Sequence, residues 1–184
     1  MGLLETILIT NDGAAIRNAA RQTGLTEQQT FEGLINLMPS LADGIKKNTT
    51  DKNGLESLIN AIGSGNHERY LENPGNVNPD EYINDGNSIL GHILGNKQAS
   101  RKVAKKAAKK SGLSSSILKK LLPIAAGLFM ASLSKNSRSK DMFGQQLDNN
   151  NAGILSKGLS MFLDQDKDGS VVDDLIGIAA KMFL

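Results

Sequence analysis

Apolar residues recur at helical spacing along nearly the whole chain. Leu3, Leu4, Ile7 and Leu8 form a short stripe that Asn11-Asp12-Gly13 interrupts or caps. Ala15, Ile16, Ala19 and Ala20 form the next, ending at Gly24, and glycine just past a helix accepts left-handed backbone without a Cβ penalty. Thr26 with Gln29 three residues on is a capping-box pattern. It opens a helix with Phe31, Leu34, Ile35, Met38, Ala42 and Ile45 on one face. Leu55, Leu58, Ile59 and Ile62 read as a further helix, and Ser88–Leu94 as a brief one stopped by Gly95. Between them, residues 63–85 are rich in Gly, Asn and Pro and read as a long loop, with Asn78-Pro79 as its one helix-start signal. Two more helices are expected at 154–163 and 172–184. No stretch sustains period-two alternation, so the expected class is all-α.

The stretch Arg17–Thr26 returns at Lys105–Ser114, an offset of 88 positions. Ala, Ala, Gly and Leu match identically, and the remaining exchanges include Arg with Lys and Thr with Ser. At the same offset Leu34 meets Leu122, Leu41 meets Phe129 and Ile45 meets Leu133. A common offset held over about thirty residues points to tandem duplication. The expected architecture is therefore a multi-helix bundle of two related halves, residues 1–97 and 98–184. In the second copy Gly112 stops a helix and Ser114 caps the next. Ile117, Leu118, Leu121, Leu122, Ala125, Phe129 and Leu133 form its stripe. Each long helix carries a proline, Pro39 or Pro123, where a kink is expected.

Composition narrows this picture. With 184 residues the chain can bury a sizeable core, and few aromatics leave the packing to Ala, Leu, Ile and Gly. Cysteine is absent, so nothing argues for a disulfide framework. The first residues lack the charge and apolar core of a secretory signal. The apolar run Leu121–Leu133 is short for a bilayer span and contains a proline. A cytoplasmic protein without a membrane span is expected. Net charge is +2, but no acidic residue occurs between Gly86 and Lys140, where Lys and Arg are frequent.

Two stretches carry candidate chemistry. Arg101, Lys102, Lys105, Lys106, Lys109 and Lys110 cover one half of a helix, with Val103, Ala104, Ala107 and Ala108 on the other. Such a face can meet phosphates through sequence-independent attraction. Ala108, Gly112 and Leu118 also fall where a helix-turn-helix needs a small residue, a turn and an inward apolar residue. The bland reading is a solvated amphipathic helix. The second stretch is Asp164–Leu175. Asp164, Asp166 and Asp168 alternate before Gly169, with Ser170 next, as in a Ca²⁺ loop. The usual closing Glu is replaced by Leu175, leaving Asp173 or Asp174 to close the site. The bland reading there is a turn followed by acids that favour a helix start. His67 and His92 have no evident partner in sequence, and Gly63-Ser64-Gly65-Asn66 lacks the Lys-Ser/Thr of a phosphate loop.

Gly86–Gly95, Ser111-Gly112-Leu113-Ser114 running to Leu121-Leu122-Pro123, and Asp173-Asp174-Leu175 in the terminal loop are the residues by which the chain resembles the bacterial YidB-like group, a domain of unknown function. The resemblance covers most of the chain and implies an all-helical bacterial protein with no assigned reaction. No catalytic residues come with it. The functional expectation is a non-catalytic structural or interaction protein that meets a protein partner or another copy of itself. The alternative is a nucleic-acid-binding protein that uses the second repeat.

The acidic loop generates a test. Its hard oxygen ligands select Ca²⁺, and without the closing Glu the expected Kd is ~10⁻⁴ M or weaker. Millimolar Ca²⁺ should therefore raise the thermal midpoint, because only the folded chain binds it. An unchanged midpoint, or an equal rise in Asp164→Ala, would return the loop to the bland reading.

Overall fold

A computed structural model describes residues 3–48 and 52–139 of the chain. Among the described residues there are helices and no strands. In order they are α1 (Leu3–Ile9), α2 (Ala14–Thr23), α3 (Glu27–Asn48), α4 (Lys52–Ser64), α5 (Arg69–Glu72), α6 (Pro79–Leu94), α7 (Lys97–Ser111) and α8 (Ser115–Ser139). Single 3₁₀ turns stand at Thr10–Gly13 and Pro74–Asn76.

Local chemistry sets most of the boundaries. Asn11 and Asp12 have φ of 53° and 52°, and Gly13 follows at 72°. This left-handed turn separates α1 from α2, at about 1–2 kcal/mol for each residue with a Cβ. Asn11 Nδ2 donates to the Glu72 carbonyl at 3.1 Å, and Arg17 donates to the Asp12 carbonyl. Both contacts hold the turn in place. At α3 the capping box forms as read: Gln29 N–H donates to Thr26 Oγ1 and Thr26 N–H to Gln29 Oε1, each at 3.1 Å. Asn78 Oδ1 accepts from Asp80 and Glu81 N–H at the start of α6, and Asn96 Oδ1 from Ala99 at the start of α7. Gly24 and Gly112 close α2 and α7 with φ of 73° and 70°. Helices α3 and α8 run on through Pro39 and Pro123.

The core is organised around α8. Every residue from Leu121 to Ser134 is buried, and α8 touches α1 to α7 in turn, α6 most extensively. The sequence stripe thus understates this helix: Ile124, Ala126, Leu128, Met130 and Ala131 are buried as well. Helix α3 packs on α8, with Gly33 against Leu118 and Leu121, so the two long apolar helices do meet. Ser115–Lys135 is long and apolar enough to cross a membrane, with mean hydropathy 1.5, but 78% of that window is buried within the bundle. Its apolar surface is already covered by protein.

Glycines mark where helices approach most closely. A Cβ on Gly33 of α3 would lie 2.5 Å from a Leu121 methyl, and one on Gly44 would lie 2.7 Å from Ile93 of α6. The tightest approach between helices is Gly86 of α6, where a Cβ would sit 2.1 Å from the Pro123 carbonyl oxygen. That neighbour is backbone and cannot rotate away.

The reading of 63–85 as a long loop is corrected. Arg69–Glu72 is helical, Pro74–Asn76 is a 3₁₀ turn, and α6 already starts at Pro79. Tyr70, Leu71 and Tyr82 are buried to within 1%. A few large apolar anchors therefore order a segment whose composition is polar. The expected helix at Ser88–Leu94 is only the second half of α6, though its stop at Gly95 stands.

Two glycines of α6 give opposite expectations. Replacing a mid-helix glycine by alanine favours the helix by about 1 kcal/mol. Gly91 is exposed with no atom near its missing Cβ, so Gly91→Ala should stabilise by about that amount. At Gly86 the overlap with the Pro123 backbone wins, because overpacking costs about 1–3 kcal/mol or more. Chemical denaturation of both variants checks this; equal effects would mean α6 does not seat on α8 at Gly86.

Candidate functional site

Sequence and structure point to two different places. The first is a polar cluster where α5 meets α6. Tyr70 donates its hydroxyl proton to Asp85 Oδ2 at 2.5 Å, and Arg69 Nη2 donates to the Tyr70 oxygen at 3.2 Å. Arg69 also pairs with Glu81 at 2.7 Å. His67 Nδ1 lies 3.2 Å from Asp85 Oδ2, and its Nε2 lies 3.2 Å from the Ala61 carbonyl. Nδ1 is at ion-pair distance from Asp85 but off hydrogen-bond alignment.

Below this cluster the rings of Tyr70 and Tyr82 stack with centroids 4.0 Å apart and planes within 5°. Gly127 of α8 leaves the slot they occupy: a Cβ there would lie 2.4 Å from the Tyr82 ring. Tyr82 donates its hydroxyl to the Ile124 carbonyl at 3.3 Å. His67 beside Asp85, followed by the Tyr70 bond, holds that carboxyl below its usual range despite desolvation. Burial first, then the Asp85 bond, pushes Tyr70 up to about 12. Burial first, then the charges of Tyr70 and Asp85, raises Tyr82 well above the ordinary tyrosine value.

Tyr70, Tyr82 and His67 are buried, whereas the Asp85, Arg69 and Glu81 side chains are 30%, 33% and 53% exposed, so the aromatic side of the cluster is closed and its charged side reaches solvent. Its chemistry is that of a clasp between α5, α6 and the end of α4. Sequence reading missed it by treating His67 as a partnerless loop residue. The available signal was the chain's only two tyrosines, Tyr70 and Tyr82, flanking the Asn78-Pro79 helix start.

The second place is α7, where the structure agrees with the sequence. Ala104 and Ala107 are buried, Val103 and Ala108 partly so. Arg101, Lys102, Lys105, Lys106, Lys109 and Lys110 are all exposed, and among the described residues none forms an ion pair. The turn after it is also as read: Gly112 is left-handed, Ser114 Oγ accepts from Ile117 N–H at 3.2 Å, and Leu118 is fully buried. The helix-turn-helix reading nevertheless fails at its reading helix. That helix is α8, enclosed by the bundle from Leu121 to Ser134, with Lys119 and Lys120 its exposed cations at the near end. From Leu121 to Ser134 it has no free face for a DNA groove.

A mainly apolar cavity of about 190 Å³ lies between α3, α4, α6 and α8, lined by Ile45, Leu58, Ala61, Ile93 and Met130 with Asn48 and His92 at its polar edge. An open polar groove of about 760 Å³ runs beside Arg17, Arg21, Glu27 and Glu72. Asp164, Asp166, Asp168, Ser170, Asp173 and Asp174, the candidate Ca²⁺ ligands, lie outside the described residues.

The family described as a bacterial protein of unknown function, DUF937, matches residues 6–136, which is more than half of the chain. That match is consistent with the YidB-like resemblance. No curated protein and no solved structure matches the chain.

The clasp predicts how stability follows pH. Asp85 has a depressed folded value, so its contribution is complete above the unfolded value of 3.8 and is lost as pH falls through the folded one. Tyr70 is raised, so its contribution is complete below 10 and disappears as pH rises toward about 12. Tyr70→Phe should cost about 1.5–3 kcal/mol at neutral pH, as loss of a bond to a charged acceptor does. It should also reduce the alkaline fall. A variant with unchanged stability and unchanged alkaline profile would show the bond to be dispensable.

Proposed function

We propose a role from the premise that the chain belongs to the bacterial DUF937 family, whose function is unknown: it is a non-catalytic, cytoplasmic structural or interaction protein. Its working surface is the basic face of α7, which meets an acidic surface of a protein partner or of another copy. The observation that carries this reading is the contrast between the two sides of α7. One side is anchored through Ala104 and Ala107, while the other presents six cations with no counter-charge among the described residues. Among the described residues, apolar surface offers no comparable candidate. Ile9, at 51%, is the exposed large hydrophobic residue among those described. The interaction is therefore electrostatic in character, and weakens as salt rises.

Two finer readings belong to the same proposal. The halves 1–97 and 98–184 descend from one unit, supported by the shared order of helix, left-handed glycine, hydroxyl cap and long helix at Gly24/Thr26 and Gly112/Ser114. The loop at Asp164–Asp174 is a weak Ca²⁺ site, supported by its ligand spacing. Nucleic-acid binding is the less favoured reading, because the enclosure of α8 leaves phosphate attraction without groove readout.

Titration with polyglutamate and with a short DNA duplex over a salt series separates these readings. The expected result is saturable binding of polyglutamate at low salt, lost in the triple variant with Lys102, Lys105 and Lys109 changed to Ala. Duplex DNA should show no strong binding at about 0.15 M salt, where exposed charges more than about 8 Å apart are screened. Tight duplex binding that falls ~10³–10⁵-fold between 50 and 200 mM salt would instead mark a protein neutralising many phosphates.

A further inference from the structure

The chain itself contains an acidic stretch matched to the α7 face. Residues 101–110 carry six cations and no acid, whereas residues 164–174 carry five aspartates and one lysine. We propose that the stretch Asp164–Asp174 docks on the basic face of α7 in the same molecule, held by charge and displaced when a stronger polyanion arrives. This deepens the interaction reading and rests on it: the α7 face is the interaction surface, and the chain's own C-terminal stretch is its resident occupant.

Reach and tethering favour the intramolecular pairing. From the end of α8 at Ser139, 24 residues precede Asp164. A segment of that length has a fully extended limit near ~80 Å. Helix α8, with 25 residues, is about 37 Å long, and α7 packs against it. The basic face therefore lies within the tether's range. Joining both partners in one chain makes their pairing intramolecular, with an effective concentration that can reach the order of millimolar. Even a weak pairing of exposed charges is then populated within one molecule, while a free copy at micromolar concentration competes poorly.

Three acids of the described body are already engaged away from α7. Glu81 pairs with Arg69, Glu72 with Lys135, and Asp85 lies in the clasp. The C-terminal stretch is the chain's dense block of acid on a tether. Docking there keeps the face from non-specific contact with phosphates, so a polyanion must first win the competition.

The absence of cysteine allows a direct test in the full chain. A spin label on the single cysteine of Ser170→Cys should attenuate the amide signals of Arg101–Lys110 at low salt, relative to the same sample with the label reduced. The attenuation should vanish at about 1 M salt, where the Debye length is ~3 Å. It should also vanish when Asp164, Asp166, Asp168, Asp173 and Asp174 are changed to Asn. Salt reversal keeps the test decisive even if that multiple variant misfolds. Mixing labelled, isotope-free chain with unlabelled ¹⁵N chain identifies the donor: attenuation in the mixture as strong as within one chain would make a second copy the occupant and overturn the proposal. Unattenuated Arg101–Lys110 signals at low salt would also overturn it, and if those signals then shifted on adding duplex DNA the face would belong to nucleic acid. Polyglutamate binding that persists without attenuation would leave the interaction surface standing and remove only its intramolecular occupant.

Discussion

Backbone against backbone at Gly86 and Pro123 is the contact on which the rest of the bundle depends. A helix buried all round, as α8 is from Leu121 to Ser134, needs neighbours that come close on every side. Ordinary side chains on both helices would hold α6 too far away, leaving voids that dispersion forces do not bridge. Gly86 removes that spacer on α6, and Gly127 removes it on α8 where the tyrosine rings enter. The same device recurs at Gly33 and Gly44, which let α3 approach α8 and α6. Close packing here comes from missing side chains as much as from large ones.

That seat fixes the polar clasp above it. With α6 held on α8, Tyr82 reaches the Ile124 carbonyl, its ring supports Tyr70, and Tyr70 in turn directs its hydroxyl to Asp85. Each buried polar atom of the two tyrosines thus finds a partner, as burial in a low-dielectric site requires. The large apolar side chains of the described body are largely consumed internally by this arrangement, and several polar ones are engaged in the clasp and the helix caps. The basic side of α7 is the exception, because its short Ala104 and Ala107 side chains suffice to seat the helix and leave every lysine outside.

Much of the fold was legible from local rules. The cap at Thr26 and Gln29, the stops at Gly24, Gly95 and Gly112, and the start at Asn78-Pro79 all depend on a few neighbouring residues, and all stand as read. The apolar stripe of α3 was visible too. The residues 63–85 were misread because their order comes from distant partners: Tyr70 and Tyr82 are anchored by Gly127 and Ile124 of a helix some forty residues later in the chain. The clasp was hidden for the same reason, since His67 and Asp85 meet only once α6 is seated. Helix-turn-helix spacing was correctly seen at Ala108, Gly112 and Leu118, but spacing alone does not reveal that α8 is enclosed. The basic face was legible in full, as exposed charge at helical spacing needs no tertiary partner.

Native-state hydrogen exchange of the full chain tests the central claim that α8 seated on α6 is the axis of the fold. Amides from Leu121 to Ser134 and from Tyr82 to Leu90 should exchange only through global unfolding, as the slowest and as one unit, with α7 opening at lower free energy. Exchange of the α8 amides through an opening cheaper than that of α7, or separately from α6, would contradict it.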